Sequence, residues 1–240
     1  MFQIVTCDRK RRLEERGHPK VKQIDKQSLV NSILLGVILS ACANSTVTPS
    51  EADHALGKSV GVPDEQLLLI KKQGANLRQL EGMSDAGEPL RAPGITIDVS
   101  EKKALPVVLQ LRKELGAEHL VFVSERNFGI GGTLDQVSVF KGNDPFDMLR
   151  TMGTNGWNYD LSPDDVIARL QQWDAAFGLD MQGVGFDWLE ATFFRKPTDM
   201  AAFAEQVYEF CPDVVDQGTD TVEALAEEMR RTNTLYLWWD

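Results

Sequence analysis

The chain has 240 residues, 42% hydrophobic and 25% charged, which suits one globular domain, or one and a half, with a core large enough to need no disulfide staples. Its formal net charge is −11, and it is unevenly spread: from Cys42 onward there are 17 basic against 32 acidic residues. Such a surface repels phosphate backbones, whose affinity for proteins comes largely from Lys and Arg displacing counterions, so nucleic acid is excluded as a favoured partner and cationic partners are favoured.

The chain opens with a long basic stretch, "MFQIVTCDRKRRLEERGHPKVKQIDKQ", followed by the uncharged run "ILLGVILSA" over Ile33 to Ala41. A bilayer span needs about 18 or more apolar residues, so the run is too short to cross one. It has the length of a signal-peptide core, with Lys22 and Lys26 as its positive flank. Leu39-Ser40-Ala41-Cys42 resembles a bacterial lipobox, which implies lipid attachment at Cys42 and cleavage before it. Several acyl chains, at about 0.8 kcal/mol per buried methylene, make a durable anchor. Residues 1–41 are therefore expected to be a signal peptide, with Met1 too far upstream and a true start near Val21. By resemblance to enteric lipoproteins, Ala43 after the cysteine does not signal inner-membrane retention, so the expected place is the cell envelope, and the outer membrane if the cell is Gram-negative. A cytoplasmic location is the alternative. Residues 42–52 read as a flexible tether and 53–240 as a single globular domain.

Residues 53–97 give weak signals. "EQLLLIKKQGANLRQLEGM" mixes helical and strand periods. The pattern then sharpens. "ALPVVLQLRKELG" predicts a helix with Pro106 in its first turn and Leu105, Val108, Leu111 and Leu115 along one face. His119–Ser124 and Gln136–Phe140 read as strands around the glycine-rich turn Gly129–Thr133. "NDPFDMLRTMG" predicts a helix capped by Asp144. "LSPDDVIARLQQWDAAFG" predicts the strongest helix: Ser162 caps it, Pro163 fills its first position, and Val166, Leu170, Trp173 and Phe177 form one buried stripe. Two antiparallel strands follow, turning near Asp187. Then come a helix with Phe203, Val207 and Phe210 inward and another opened by an Asp220/Glu223 capping box. The closing "TLYLWWD" reads as a strand.

From about residue 118 the order is thus β, β, α, α, β, β, α, α, β. It predicts an α/β (α+β) two-layer sandwich on a mixed or antiparallel sheet, with helices mainly on one face and a ferredoxin-like core as one topology. A doubly wound nucleotide fold would need strict alternation of strand and helix.

Little in the chain points to chemistry. Gly129–Thr133 has neither phosphate-loop spacing, no CxxC pair exists, and the EF-hand pattern is absent, so no cofactor and no metal is expected. His119, at a strand mouth, reads as a strand-edge residue. Cys211 reads as a buried small hydrophobe, with a hydrolase using Cys211 or Asp213 and Asp216 as the alternative. The expected binding surface combines the amide- and aromatic-rich loop (Asn155, Trp157, Asn158, Tyr159) with Trp188, Cys211, Asp213, Gln217, Trp238 and Trp239. Trp238 and Trp239 are strand neighbours and must face opposite ways. If the second sheet face is open, one of them joins Trp188 in an aromatic patch; cover by a helix or by the N-terminal segment is the alternative.

The motifs "DPFDMLRTMGTNGWNYDL", "DDVIARLQQWD", "FCPDVVDQGTDTVEALAEEM" and "LYLWWD" together resemble a bacterial family catalogued as a domain of unknown function, number 4253. The resemblance covers about residues 140–240 well and 60–140 loosely. It implies a compact α/β domain and carries over no catalytic residue. Members of that family look cytoplasmic, and the lipobox departs from that pattern. The leading expectation is a lipid-anchored, non-catalytic protein-binding module, immunity- or inhibitor-like, with a basic protein partner. A passive structural domain is a further alternative.

Overall fold

The computed structural model describes residues 47–84, 87–127 and 134–240, and Thr46–Asp240 form one compact unit. Cys42 and the Gly129–Thr133 turn lie outside the described residues.

The first helix, α1 (Glu51–Val60), starts at a capping box in which Ser50 and Asp53 satisfy each other's backbone donors, so the last two residues of the expected tether are helical. Helix α2 (Asp64–Lys71) follows, and Lys71 pairs with Asp53 across the two helices. Strands β1 (Ala75–Met83) and β2 (Pro89–Val99) form an antiparallel pair with two irregularities on β1. Helix α3 (Glu101–Leu115) begins earlier than expected, so Pro106 lies inside it. Exposure of Pro106 lets the helix absorb the missing donor on its solvent side. Strands β3 (His119–Glu125) and β4 (Asp135–Lys141) are antiparallel.

Helix α4 (Asp147–Met152) is short and has Phe146 at its N-cap position. Asp144 caps the preceding turn instead, accepting the Phe146 N–H at 3.0 Å, which corrects the predicted N-cap. Helix α5 (Pro163–Phe177) has the predicted Ser162 cap, with Asp165 completing a capping box. Strands β5 (Leu179–Val184) and β6 (Trp188–Phe193), helix α6 (Met200–Phe210), helix α7 (Val222–Thr232) and strand β7 (Thr234–Trp238) complete the chain. Thr221, whose hydroxyl accepts from the Ala224 N–H, caps α7 in place of the expected Asp220, which sits in the left-handed region at φ 66°.

Among the described residues seven strands form one mixed sheet in the order β1-β2-β4-β3-β5-β6-β7. Every neighbouring pair is antiparallel except β3 and β5, which are parallel and share the pair Val123 and Gly183. The mixed α/β sandwich is as expected, but helices cover both faces. Helices α4 to α7 pack on one face through Leu149, Leu170, Phe203 and Met229. Helices α1 to α3 cover part of the other through Leu67, Val108 and Leu111. The second face needs its share of helices because the alternating β2 and β4 present Ile95, Ile97, Val137 and Val139 to it, and that apolar row needs cover.

The ferredoxin-like option is corrected too. β2, α3 and β3 form a split β-α-β unit with β4 between the strands, as that topology requires. The next strand, however, adds beside β3 in parallel, and no later strand returns to β2.

Arg112 of α3 reinforces the parallel joint. Its Nε donates to Val121 O at 2.8 Å, its Nη2 to Met181 O at 2.5 Å, and its Nη1 to Asp180 Oδ1 at 2.6 Å. One guanidinium thus takes up a β3 carbonyl and a β5 carbonyl where the strands share so little backbone pairing.

Candidate functional site

The loop between α4 and α5 is built by its own side chains. Gly153 ends α4 at φ 63°, where a left-handed backbone favours glycine. The Asn155 amide donates to Gly153 O at 2.8 Å and accepts the Trp157 N–H at 3.0 Å, which starts a 3₁₀ turn over Trp157–Tyr159. Gly156 bridges to Leu161 and closes the loop. A Cβ on Gly156 would lie 2.9 Å from Trp239 Cδ1, so only glycine lets the loop settle against that indole. Trp157, by contrast, stands 78% exposed.

Beside this loop lies a cleft of about 660 Å³, off the carboxyl ends of β5 and β7. Ligand crevices in open α/β sheets commonly lie outside the carboxyl ends of strands. Asn155, Trp157 and Asn158 form one wall, Trp239 and Asp240 another, and Phe186 and Asp187 from the β5–β6 turn a third. Ser162, Pro163 and Asp164 at the start of α5 and Gly87 complete it. No Lys, Arg or His lines it among the described residues. Burial, joined by the negative charge of Asp240, pushes the Asp187 carboxyl above its ordinary range.

Behind the cleft, the two motifs "FCPD" and "LWWD" clamp each other. Phe210 O accepts from Trp239 Nε1 at 3.3 Å, and the two rings meet edge to face at 5.7 Å. Cys211 Sγ donates to Trp238 O at 3.0 Å and accepts from Trp238 N at 3.3 Å. Asp213 accepts the Asp240 N–H at 2.9 Å, the Tyr159 hydroxyl at 2.7 Å and the Gln217 amide at 2.9 Å. A π-helical turn over Val214–Thr219 brings Gln217 back to Asp213. Burial opposes the charge of Asp213, but these three donors outweigh it and hold the carboxyl below its ordinary value. The same hydrogen bond pushes the Tyr159 hydroxyl up to about 12.

The expected binding surface is thus partly assembled. Asn155, Trp157, Asn158 and Trp239 line the cleft. Tyr159, Asp213 and Gln217 brace its walls, and Cys211 sits fully buried behind it. Trp188 and Trp238 face the second side of the sheet, as strand alternation requires of Trp238 relative to Trp239. Trp188 is only 4% exposed: it stacks on Tyr236 and lies under the Arg126 guanidinium at 5.9 Å. It therefore offers no exposed aromatic patch, which corrects that expectation.

Burial pushes the Cys211 thiol up to about 12, so it is protonated at neutral pH, the opposite of a nucleophile. Asp213 is committed to its three donors, and Asp216 accepts from the Tyr208 hydroxyl at 3.1 Å, so the two carboxylates serve different partners. Among the described residues no group of three His, Cys, Asp or Glu side chains is placed to hold a metal ion. Sequence reasoning missed Phe186, Asp187, Asp240, Asp164 and Gly87 as cleft residues. Their one local signal, the turn at Asp187, does not say which elements the turn faces.

Residues 136–240 match the family model described as a domain of unknown function (DUF4253). Every cleft residue except Gly87 falls in that stretch. No curated protein and no solved structure gives a significant match.

Proposed function

Taking as premise that residues 136–240 carry the DUF4253 domain, we propose that this protein is a lipid-anchored bacterial envelope protein whose globular unit is a non-catalytic binding module. It docks a basic protein partner at the cleft beside Trp157, in the manner of an immunity or inhibitor protein. Exposed Trp157 carries the reading. A tryptophan 78% open to solvent, on the rim of a preformed cleft, costs hydration free energy unless something covers it, and tryptophan is enriched among residues that dominate interface energetics. The excess of 32 acidic over 17 basic residues from Cys42 onward complements a basic surface and would speed its encounter. The lipobox-like Leu39–Cys42 supports the anchor. No helix among the described residues is long and apolar enough to cross a membrane.

Two measurements test the reading. Mass spectrometry of the mature amino terminus should find an acylated Cys42, and Cys42→Ser should release the protein from membranes. Affinity capture from envelope extracts with the wild type should recover a basic protein that Trp157→Ala fails to hold. A full-length, unmodified chain in the cytosol overturns the anchor. Equal capture by wild type and Trp157→Ala overturns the docking site.

A further inference from the structure

We propose that the cleft is an arginine pocket: it takes the guanidinium of a partner's arginine against the Trp157 indole and among the carboxylates of Asp164, Asp187 and Asp240. This rests on the docking reading above and names the chemistry by which the partner is held.

Several polar groups in the cleft are already engaged. The Asn155 amide is used up on Gly153 and Trp157, and the Trp239 N–H on Phe210. Ser162 is engaged in its capping box. That leaves three carboxylates, the Asn158 amide and the exposed Trp157 indole. None of the three carboxylates is ion-paired among the described residues. Acceptors beside one open, flat aromatic face, with no cation in the lining, ask for a ligand that is planar, positive and rich in donors.

Guanidinium meets all three demands. Its five N–H donors reach several acceptors at once, and its weakly hydrated faces stack on indole. An ammonium would satisfy the charge but leave the aromatic face poorly used. The molecule uses the same recipe internally. Arg126 lies over Trp188 while its Nη2 pairs with Glu190 at 2.6 Å. Arg169 lies 5.8 Å over Trp173 and 5.5 Å over Phe210. At about 660 Å³ the cleft has room for an arginyl side chain with its flanking backbone.

The test is calorimetric titration of the full chain, in non-ionic detergent, with N-acetyl-arginine amide. The citrulline analogue, which is neutral and of the same shape, and the lysine analogue serve as comparisons. Saturable binding is expected for arginine, with citrulline about tenfold weaker or worse and lysine in between. Trp157→Ala and Asp187→Asn should each weaken arginine about three- to tenfold while circular dichroism stays native. Citrulline binding as tightly as arginine, no saturable arginine binding, or indifference to both substitutions overturns the pocket. If arginine amide binds as expected but no protein is ever captured, the pocket stands and the protein-docking reading falls. If a partner is captured through Trp157 while arginine amide neither binds nor competes, docking stands and the arginine assignment falls.

Discussion

The Cys211 thiol spans both backbone groups of Trp238, 3.0 Å from its carbonyl and 3.3 Å from its nitrogen. Trp239 N donates to Asp187 O and Phe193 N to Asn233 O, so the odd-numbered residues of this terminal strand face β6 and Trp238 faces outward. Cys211 therefore occupies the position where another strand would pair, and blunts an edge that would otherwise invite association. With its thiol buried and protonated, Cys211 should resist iodoacetamide in the native protein and react only as denaturant opens the fold. Rapid labelling of the native protein at neutral pH would contradict its placement. Cys211→Ala should cost about 1–2 kcal/mol in urea unfolding through the lost cap and the small cavity.

Asp213 ties the α4–α5 loop, the π turn and the chain's last residue together, so its loss should be felt in both stability and cleft shape. Asp213→Ala leaves three donors without their acceptor and should destabilise by about 2–4 kcal/mol. The pH dependence has a definite sign. The folded-state pKa lies below the ordinary 3.8, so the carboxylate's stabilisation is present above that value and is lost as pH falls through the folded pKa. The deficit of Asp213→Asn relative to wild type, read from urea midpoints, should therefore be constant near neutrality and shrink in strong acid. A deficit that grows on acidification would refute the assignment.

Arg112 should prove hard to replace. Arg112→Lys keeps the charge but cannot reach Val121 O, Met181 O and Asp180 together, so it should retain little of the wild-type stability contribution. Arg112→Ala should cost about 2–3 kcal/mol. Hydrogen exchange at the β3–β5 joint should quicken in both variants before it does at β6 and β7. Uniform exchange across the sheet would show that the guanidinium does not hold the two halves together.

The matched stretch begins at residue 136, inside β4, yet β4 pairs with β2 and β3, and β5 reaches the β4 side of the sheet only through β3. Residues 136–240 alone would leave β4 with no neighbouring strand. A fragment of those residues should lack cooperative unfolding by circular dichroism, whereas 47–240 should unfold in one transition. A stably folded 136–240 fragment would mean that the sheet can close another way.

How much of this was legible depended on distance along the chain. Helix α5 was readable because Ser162, Pro163 and the stripe from Val166 to Trp173 all act within one element. The α2–β1 segment was not, because β1 is an edge strand with two irregularities, which break the two-residue period that would identify it. At α7 two capping residues stood side by side, and only the left-handed backbone at Asp220 decided for Thr221. In the cleft, Trp157 and its asparagines announced themselves by composition. Asp187 did not, because its meeting with Asp240 joins residues far apart in sequence.

The five tryptophans differ sharply in surroundings: Trp173, Trp188 and Trp239 are 3–4% exposed and Trp238 is half-buried, against 78% for Trp157. Intrinsic emission quenched by a neutral quencher such as acrylamide therefore reports mainly on the rim of the cleft. The molecule carries its own optical gauge of occupancy, with no dye to attach and no engineered label to disturb it.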